Sequence, residues 1–241
     1  MESTHEDVAR AAGLVEPEPP IERSYVQPLP SAPIVLCDGW LADIAENVLP
    51  DLGLAAPERV LGPMADERPS RRQRAVAGGV MAFSPNCAPR VRPVDRWYKD
   101  RRGTTDDERA AVRAVDRAPP MVWRVRAGAA PEPLLPLHSR LCPDGPARRL
   151  ATGEGQPMQP LPAGCWLARI FPGPEGWCAA LALPLSAVPD PAWLLRRLRL
   201  ELWYFRTYVP EADWILLLRE RGEVLYRCCH EWVWTTRRFE P

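Results

Sequence analysis

Cys165-Trp166-Leu167-Ala168-Arg169-Ile170-Phe171, then Pro172-Gly173-Pro174-Glu175-Gly176, then Trp177-Cys178-Ala179-Ala180-Leu181-Ala182-Leu183 is the stretch that decides the fold. Two apolar runs flank a cluster of proline and glycine. Proline fixes φ and glycine tolerates positive φ, so the cluster is a turn and the runs are the strands of a hairpin. A turn centred on Pro174 sets Trp166 opposite Ala182, Ala168 opposite Ala180 and Ile170 opposite Cys178. On the other side it sets Phe171 opposite Trp177 and Leu167 opposite Leu181. Both faces are apolar, so both are expected to be covered, as in a small barrel or a sheet beneath helices. Residues 121–126 alternate Met121, Trp123 and Val125 with Val122, Arg124 and Arg126, which predicts a half-buried strand in the same sheet.

Downstream, Asp190-Pro191 opens a helix: an acid at the N-cap and a proline at the first helical position, running to about Thr207. One apolar stripe holds Leu194, Leu195, Leu198, Leu202 and Phe205. A second, on nearly the opposite side, holds Trp193, Leu200 and Tyr204, with Arg196, Arg197, Arg199 and Arg206 between. A helix apolar on two sides is sandwiched in a core or offers one side to a partner. From Trp214 the apolar spacing is helical with a break near Gly222. Strands 214–218 and 224–234 around Arg221-Gly222 are the competing solution, and the spacing favours helices.

Upstream, residues 1–33 carry a short helical pattern at 6–12 and then Pro17, Pro19, Pro20, Pro28, Pro30 and Pro33, the composition of an extended, poorly packed arm. A short strand is expected at 34–36 and a helix at 40–49. Residues 62–96 lose periodicity and read as an exposed loop, with Gly78-Gly79 as a turn. Thr105-Asp106-Asp107-Glu108 begins a helix to about Arg117, its acids suiting the helix dipole, and Ala111, Val112 and Val115 form its buried stripe. Residues 128–162 are loop-rich, with a short strand expected at 134–137.

The expected architecture is α+β: a small antiparallel, barrel-like sheet core, N-terminal helices and a helical C-terminal cap. Three parts follow: a flexible proline-rich arm (1–33), a mainly helical and loop part (34–120) and a tryptophan-rich sheet-plus-helix part (121–241).

The 241 residues suffice for a sizeable core. Basic and acidic side chains balance at 31 each, so no global field draws the chain to nucleic acid or to an acidic membrane. Lys99 is the only lysine, and with 30 prolines this reads as the codon bias of a GC-rich, bacterial genome. The N-terminus is polar and the apolar runs are short and proline-interrupted, so neither a secretory signal nor a membrane span is expected. Seven irregularly spaced cysteines suit a reducing compartment, and a cytoplasmic protein is the expectation.

Chemical templates fail one by one. Cys228-Cys229-His230 suggests metal, but no C-x₂-C or H-x₃-H spacing exists, and adjacent cysteines point apart; buried apolar thiols explain them better. A Cys165–Cys178 disulfide conflicts with the hairpin register. His5, His138 and His230 are the only histidine bases, and no strained nucleophile elbow accompanies them. Gly153-Glu154-Gly155 and Gly78-Gly79 lack the rest of a phosphate loop. Asp106, Asp107 and Glu108 are explained by their place in a first helical turn. No catalytic residue, cofactor or metal is therefore assigned.

Seven of the ten tryptophans lie between Trp166 and Trp234. Such a density signals a generous core or a surface made for a partner, since each ring buries on the order of 200 Å². The expected function is a non-enzymatic interaction module, an adaptor or accessory subunit of a larger multi-protein assembly. Trp193, Leu200 and Tyr204 are its candidate partner-binding residues. The alternative is nucleic-acid binding through residues 68–102, where Arg71, Arg72, Trp97, Arg101 and Arg102 would combine phosphate contacts with stacking. A solvated loop with one anchoring indole is the simpler explanation of that stretch.

Overall fold

The structure is a computed structural model and describes residues 71–84, 92–100, 106–135, 137, 143–149, 158–173 and 176–239. The arm, the patterns at 6–12, 34–36 and 40–49, and Cys37, Cys87, Cys142, His5 and His138 lie outside them.

Strands β1 (Pro120–Val125), β2 (Glu132–Pro133), β3 (Ala147–Arg149), β4 (Gln159–Pro160), β5 (Gly164–Gly173) and β6 (Gly176–Leu185) form one sheet. Its order is β2-β1-β5-β6-β3-β4. The mixed helix and strand content agrees with the expectation; the barrel does not. The sheet is open, because its two edges are two-residue strands that pair inward only. It is also not purely antiparallel, since β3 runs parallel to β6. As expected, β1 joins the hairpin, with Trp123 opposite Trp166 and Met121 opposite Ala168.

The hairpin forms in a different register. Gly173 pairs with Gly176, which moves Phe171 opposite Cys178 and Ile170 opposite Ala179. The two glycines close the turn more tightly than one centred on Pro174, and Gly176 takes the φ of +115° that other residues avoid. A second shift follows between Leu167 and Arg169, beyond which Leu167 pairs with Leu183. Leu181 sits at this bulge with φ +51°, left-handed backbone that costs roughly 1–2 kcal/mol for a non-glycine residue. The bulge places consecutive Ala180 and Leu181 in the apolar cluster on one side of the sheet, while Ala179 and Ala182 belong to the cluster on the other. Tyr226 secures it by donating its hydroxyl to the Leu181 carbonyl at 2.9 Å.

Residues expected to form an exposed loop instead build α1 (Arg71–Phe83), buried throughout residues 76–83. Gly79 lies inside it, against the side chain of Leu181. Its missing Cβ lets the helix approach β6, so this glycine serves close packing where a turn was expected. Helices α2 (Pro93–Asp100) and α3 (Asp106–Arg117) follow, with Val112 and Val115 of α3 fully buried. One apolar cluster joins Val80, Phe83 and Val115 to Leu167, Phe171, Leu194 and Leu225, so helices from before β1 and from after β6 cover the same sheet face. On the opposite face a second cluster gathers Trp123, Trp166, Ile170 and Ala179. Their indoles are satisfied internally: Trp123 donates to the Ala168 carbonyl at 3.0 Å and Trp166 to the Pro162 carbonyl at 2.8 Å.

The C-terminal part is helical, as the spacing favoured: α4 (Pro191–Arg206), α5 (Trp214–Glu220) and α6 (Gly222–Phe239). Asp190 caps α4 by accepting from the Trp193 amide at 2.7 Å, and Asp213 caps α5 in the same way through Leu216. Arg221 leaves helical geometry at the α5–α6 break. Among the described residues no helix is long and apolar enough to cross a membrane.

Candidate functional site

Helix α4 buries Leu194, Leu195, Leu198 and Leu202, which recur at three- and four-residue steps and so line one side. Burying that side turns the rest of the helix outward. Leu200 is 61 % exposed, Trp203 70 %, Tyr204 49 % and Tyr208, just past the helix, 62 %. Each ring is a large apolar surface left in water, and four such residues within one short segment form a contiguous patch.

The three residues assigned from sequence separate here. Leu200 and Tyr204 are in the patch. Trp193 is half-buried and packs on Trp232 of α6, ring centroids 5.1 Å apart, so it helps fasten α4 to α6. Trp203 and Tyr208 were missed. A signal for Trp203 was present: at 100° per residue it falls about 60° from Leu200, inside the same outward sector. Tyr208 lies beyond the helix, where periodicity carries no information.

The patch is held firmly. Arg197 bonds Glu231 at 2.9 Å and Arg227 bonds Glu201 at 2.8 Å, both between α4 and α6. Tyr204 and Tyr208 pack edge to face, centroids 5.4 Å apart, with their hydroxyls hydrogen-bonded at 3.0 Å. That hydrogen bond pushes the Tyr204 phenol above its ordinary pKa.

A second polar constellation is internal. Arg169, on β5, is fully buried and donates from Nη1 to the carbonyls of Ala118 (2.7 Å), Val115 (3.3 Å) and Asp116 (3.4 Å). These carbonyls belong to the end of α3 and the residue after it, where a cation complements the helix dipole. Its guanidinium also lies 5.1 Å from the Phe83 ring centre. Burial lowers the Arg169 pKa, opposed by Tyr226, Asp116 and Glu223. Nearby, Ser84 donates to Glu223 at 2.7 Å, Glu223 meets Arg221 at 2.6 Å, and Arg92 bridges Asp95 and Asp116. Burial works against the Arg92 charge; the Asp95 and Asp116 carboxylates outweigh it and hold its pKa above the ordinary value. The constellation ties α1, α3 and α6 to the sheet. No sequence periodicity announces it, because a lone arginine in an apolar strand looks like an interruption.

The thiols match the apolar expectation. Cys165, Cys178, Cys228 and Cys229 are free and buried. Burial pushes the Cys165 and Cys228 thiols up to about 11 and Cys229 well above its ordinary value, the reverse of what a nucleophile needs. Among the described residues no group of three His, Cys, Asp or Glu side chains could hold a metal ion. A crevice lined by Met121, Val122, Leu135, Leu194, Leu198 and Leu225 carries no titratable side chain.

For the nucleic-acid alternative, Arg71 and Arg72 stand in the first turn of α1 and Trp97 in α2, helices that pack on one another. Arg101 and Arg102 lie outside the described residues.

Comparison with known proteins finds no matching family model, no matching curated protein and no matching solved structure.

Proposed function

We propose that this protein is a non-enzymatic interaction module, an adaptor or accessory subunit of a larger assembly, that docks a protein on the outward face of α4. One observation carries the reading: Leu200, Trp203 and Tyr204 stand exposed on a helix whose other side is locked into the core, with Tyr208 exposed just past its end. Exposed aromatic rings on a rigid support are the side chains that dominate interface energetics, because they bury much area at little entropic cost. The thiols, pushed up by burial, support a structural role for the cysteines, and free thiols suit a reducing, cytoplasmic setting.

The test is capture of binding proteins by the tagged full chain, compared with Trp203→Ala and Tyr204→Ala variants. Both side chains are mostly outside the core, so circular dichroism should stay unchanged. Each variant should weaken capture by about 2 kcal/mol or more if its ring is an anchor. Trp193→Ala is unsuitable, since that ring packs on Trp232. Capture that both variants leave unchanged refutes the proposal.

A further inference from the structure

Resting on that reading of the α4 face, we propose that its occupant is a second copy of this chain, with the two α4 helices packed antiparallel about a twofold axis near Trp203 and Tyr204. Four observations converge on this partner. Arg196, Leu200, Trp203, Tyr204 and Thr207, all exposed, recur at steps of three and four, the seam that a helix presents to another helix. A twofold partner needs only a surface complementary to itself, and each exposed ring then meets the same patch on its twin.

Area comes second. At about 200 Å² per ring, the exposures of Trp203, Tyr204 and Tyr208, together with Leu200, offer roughly 450 Å² per copy. Two copies bring about 900 Å², and the flanking polar side chains carry the contact past the roughly 1,000 Å² that a specific interface requires.

Charge is the third and the most directional. Arg197 and Glu201 are already committed to Glu231 and Arg227. Arg196 and Arg199, toward the N-terminal end of the patch, have no ionic partner among the described residues, and neither has Glu211, exposed just beyond the C-terminal end. An antiparallel pair lays the two arginines of one copy beside Glu211 and the α4 C-terminus of the other, where helix carbonyls add partial negative charge. A parallel pair would set like charges together. The formal net charge of zero removes long-range repulsion between copies.

Finally, Tyr204 and Tyr208 already hydrogen-bond each other, so one phenolic donor is satisfied before the patch is dehydrated.

Sedimentation of the full chain over roughly 1–200 µM tests the proposal, a span suited to an interface of this size. The mass should move with concentration from one copy toward two. Trp203→Glu should raise the dissociation constant by a factor of roughly 30 or more. Arg196→Glu and Glu211→Arg should each weaken the dimer, and the two together should restore it, because the signs are exchanged across a twofold axis. A single copy across the whole range overturns the proposal. So does a dimer indifferent to Trp203→Glu, single charge variants without effect, or a double variant no better than the singles. A chain that stays single but loses a different protein on Trp203→Glu overturns the second copy alone and leaves the docking function standing. Indifference of both self-association and capture to Trp203→Glu removes both.

Discussion

Replacing Arg169 by methionine tests what holds the helices to the sheet. The guanidinium is fully buried, and its Nη1 makes one short bond, to the Ala118 carbonyl at 2.7 Å, and two long ones at 3.3 and 3.4 Å. A charged donor on a buried carbonyl contributes about 1.5–3 kcal/mol, and the long contacts add little. The position over Phe83 adds roughly 0.5–2 kcal/mol for a desolvated cation. Against these stands the desolvation of a charge with no carboxylate in direct contact, a cost of several kcal/mol that methionine removes. Methionine fills similar volume but strands the carbonyls at the end of α3, at about 1–3 kcal/mol for the one that was best bonded. The capping should prevail, and Arg169→Met should destabilise by about 2 kcal/mol. For a chain of this length that is roughly 4–8 °C in Tm. Urea unfolding followed by circular dichroism measures it, and Arg169→Lys should do no better, since it keeps the buried charge and loses the guanidinium's place over the Phe83 ring. A methionine variant as stable as the parent, or more so, would show that desolvation outweighs capping and refute the reasoning.

Two further outcomes follow from packing and burial. In the parent, Gly79→Ala should destabilise by about 1–2 kcal/mol, because the new methyl meets the Leu181 side chain. In a Leu181→Ala background the clash is gone and the same change should stabilise by up to about 1 kcal/mol through helix propensity; a double-mutant cycle with no coupling would contradict the close approach. The buried Cys165 and Cys228 thiols should make stability fall at alkaline pH. Below about pH 8.5 they are protonated whether the chain is folded or not. Above it the unfolded thiols ionise while the folded ones stay protonated, so stability drops until the folded groups titrate near 11. Urea midpoints that do not fall between pH 8 and 10 would contradict this, as would native thiols that react with a disulfide reagent as fast as unfolded ones.

Elements with local punctuation were legible. Asp190-Pro191 and the leucine steps marked α4, and the spacing after Trp214 favoured helices over a hairpin, because caps and 3.6-residue periodicity act within a few residues. The hairpin was legible as an element but not in register: Gly173 and Gly176 closed it one residue tighter, and the bulge at Leu181 is a response to neighbours. Helix α1 was missed because Gly79 looks like a turn until Leu181 is known to lie against it. For the site, the sequence pointed to the outward side of α4 and to Leu200 and Tyr204, but left out Trp203 and Tyr208.

The amino-acid order alone determined the strand–turn–strand unit, the capped helix α4 and its two-sided apolar character, since each depends on residues adjacent along the chain. Only the folded arrangement decided which apolar side became surface. Trp193 was drawn inward by Trp232, thirty-nine positions away, while Leu200, Trp203 and Tyr204 stayed exposed. Burial is a property of what lies opposite, and what lies opposite comes from elsewhere in the sequence.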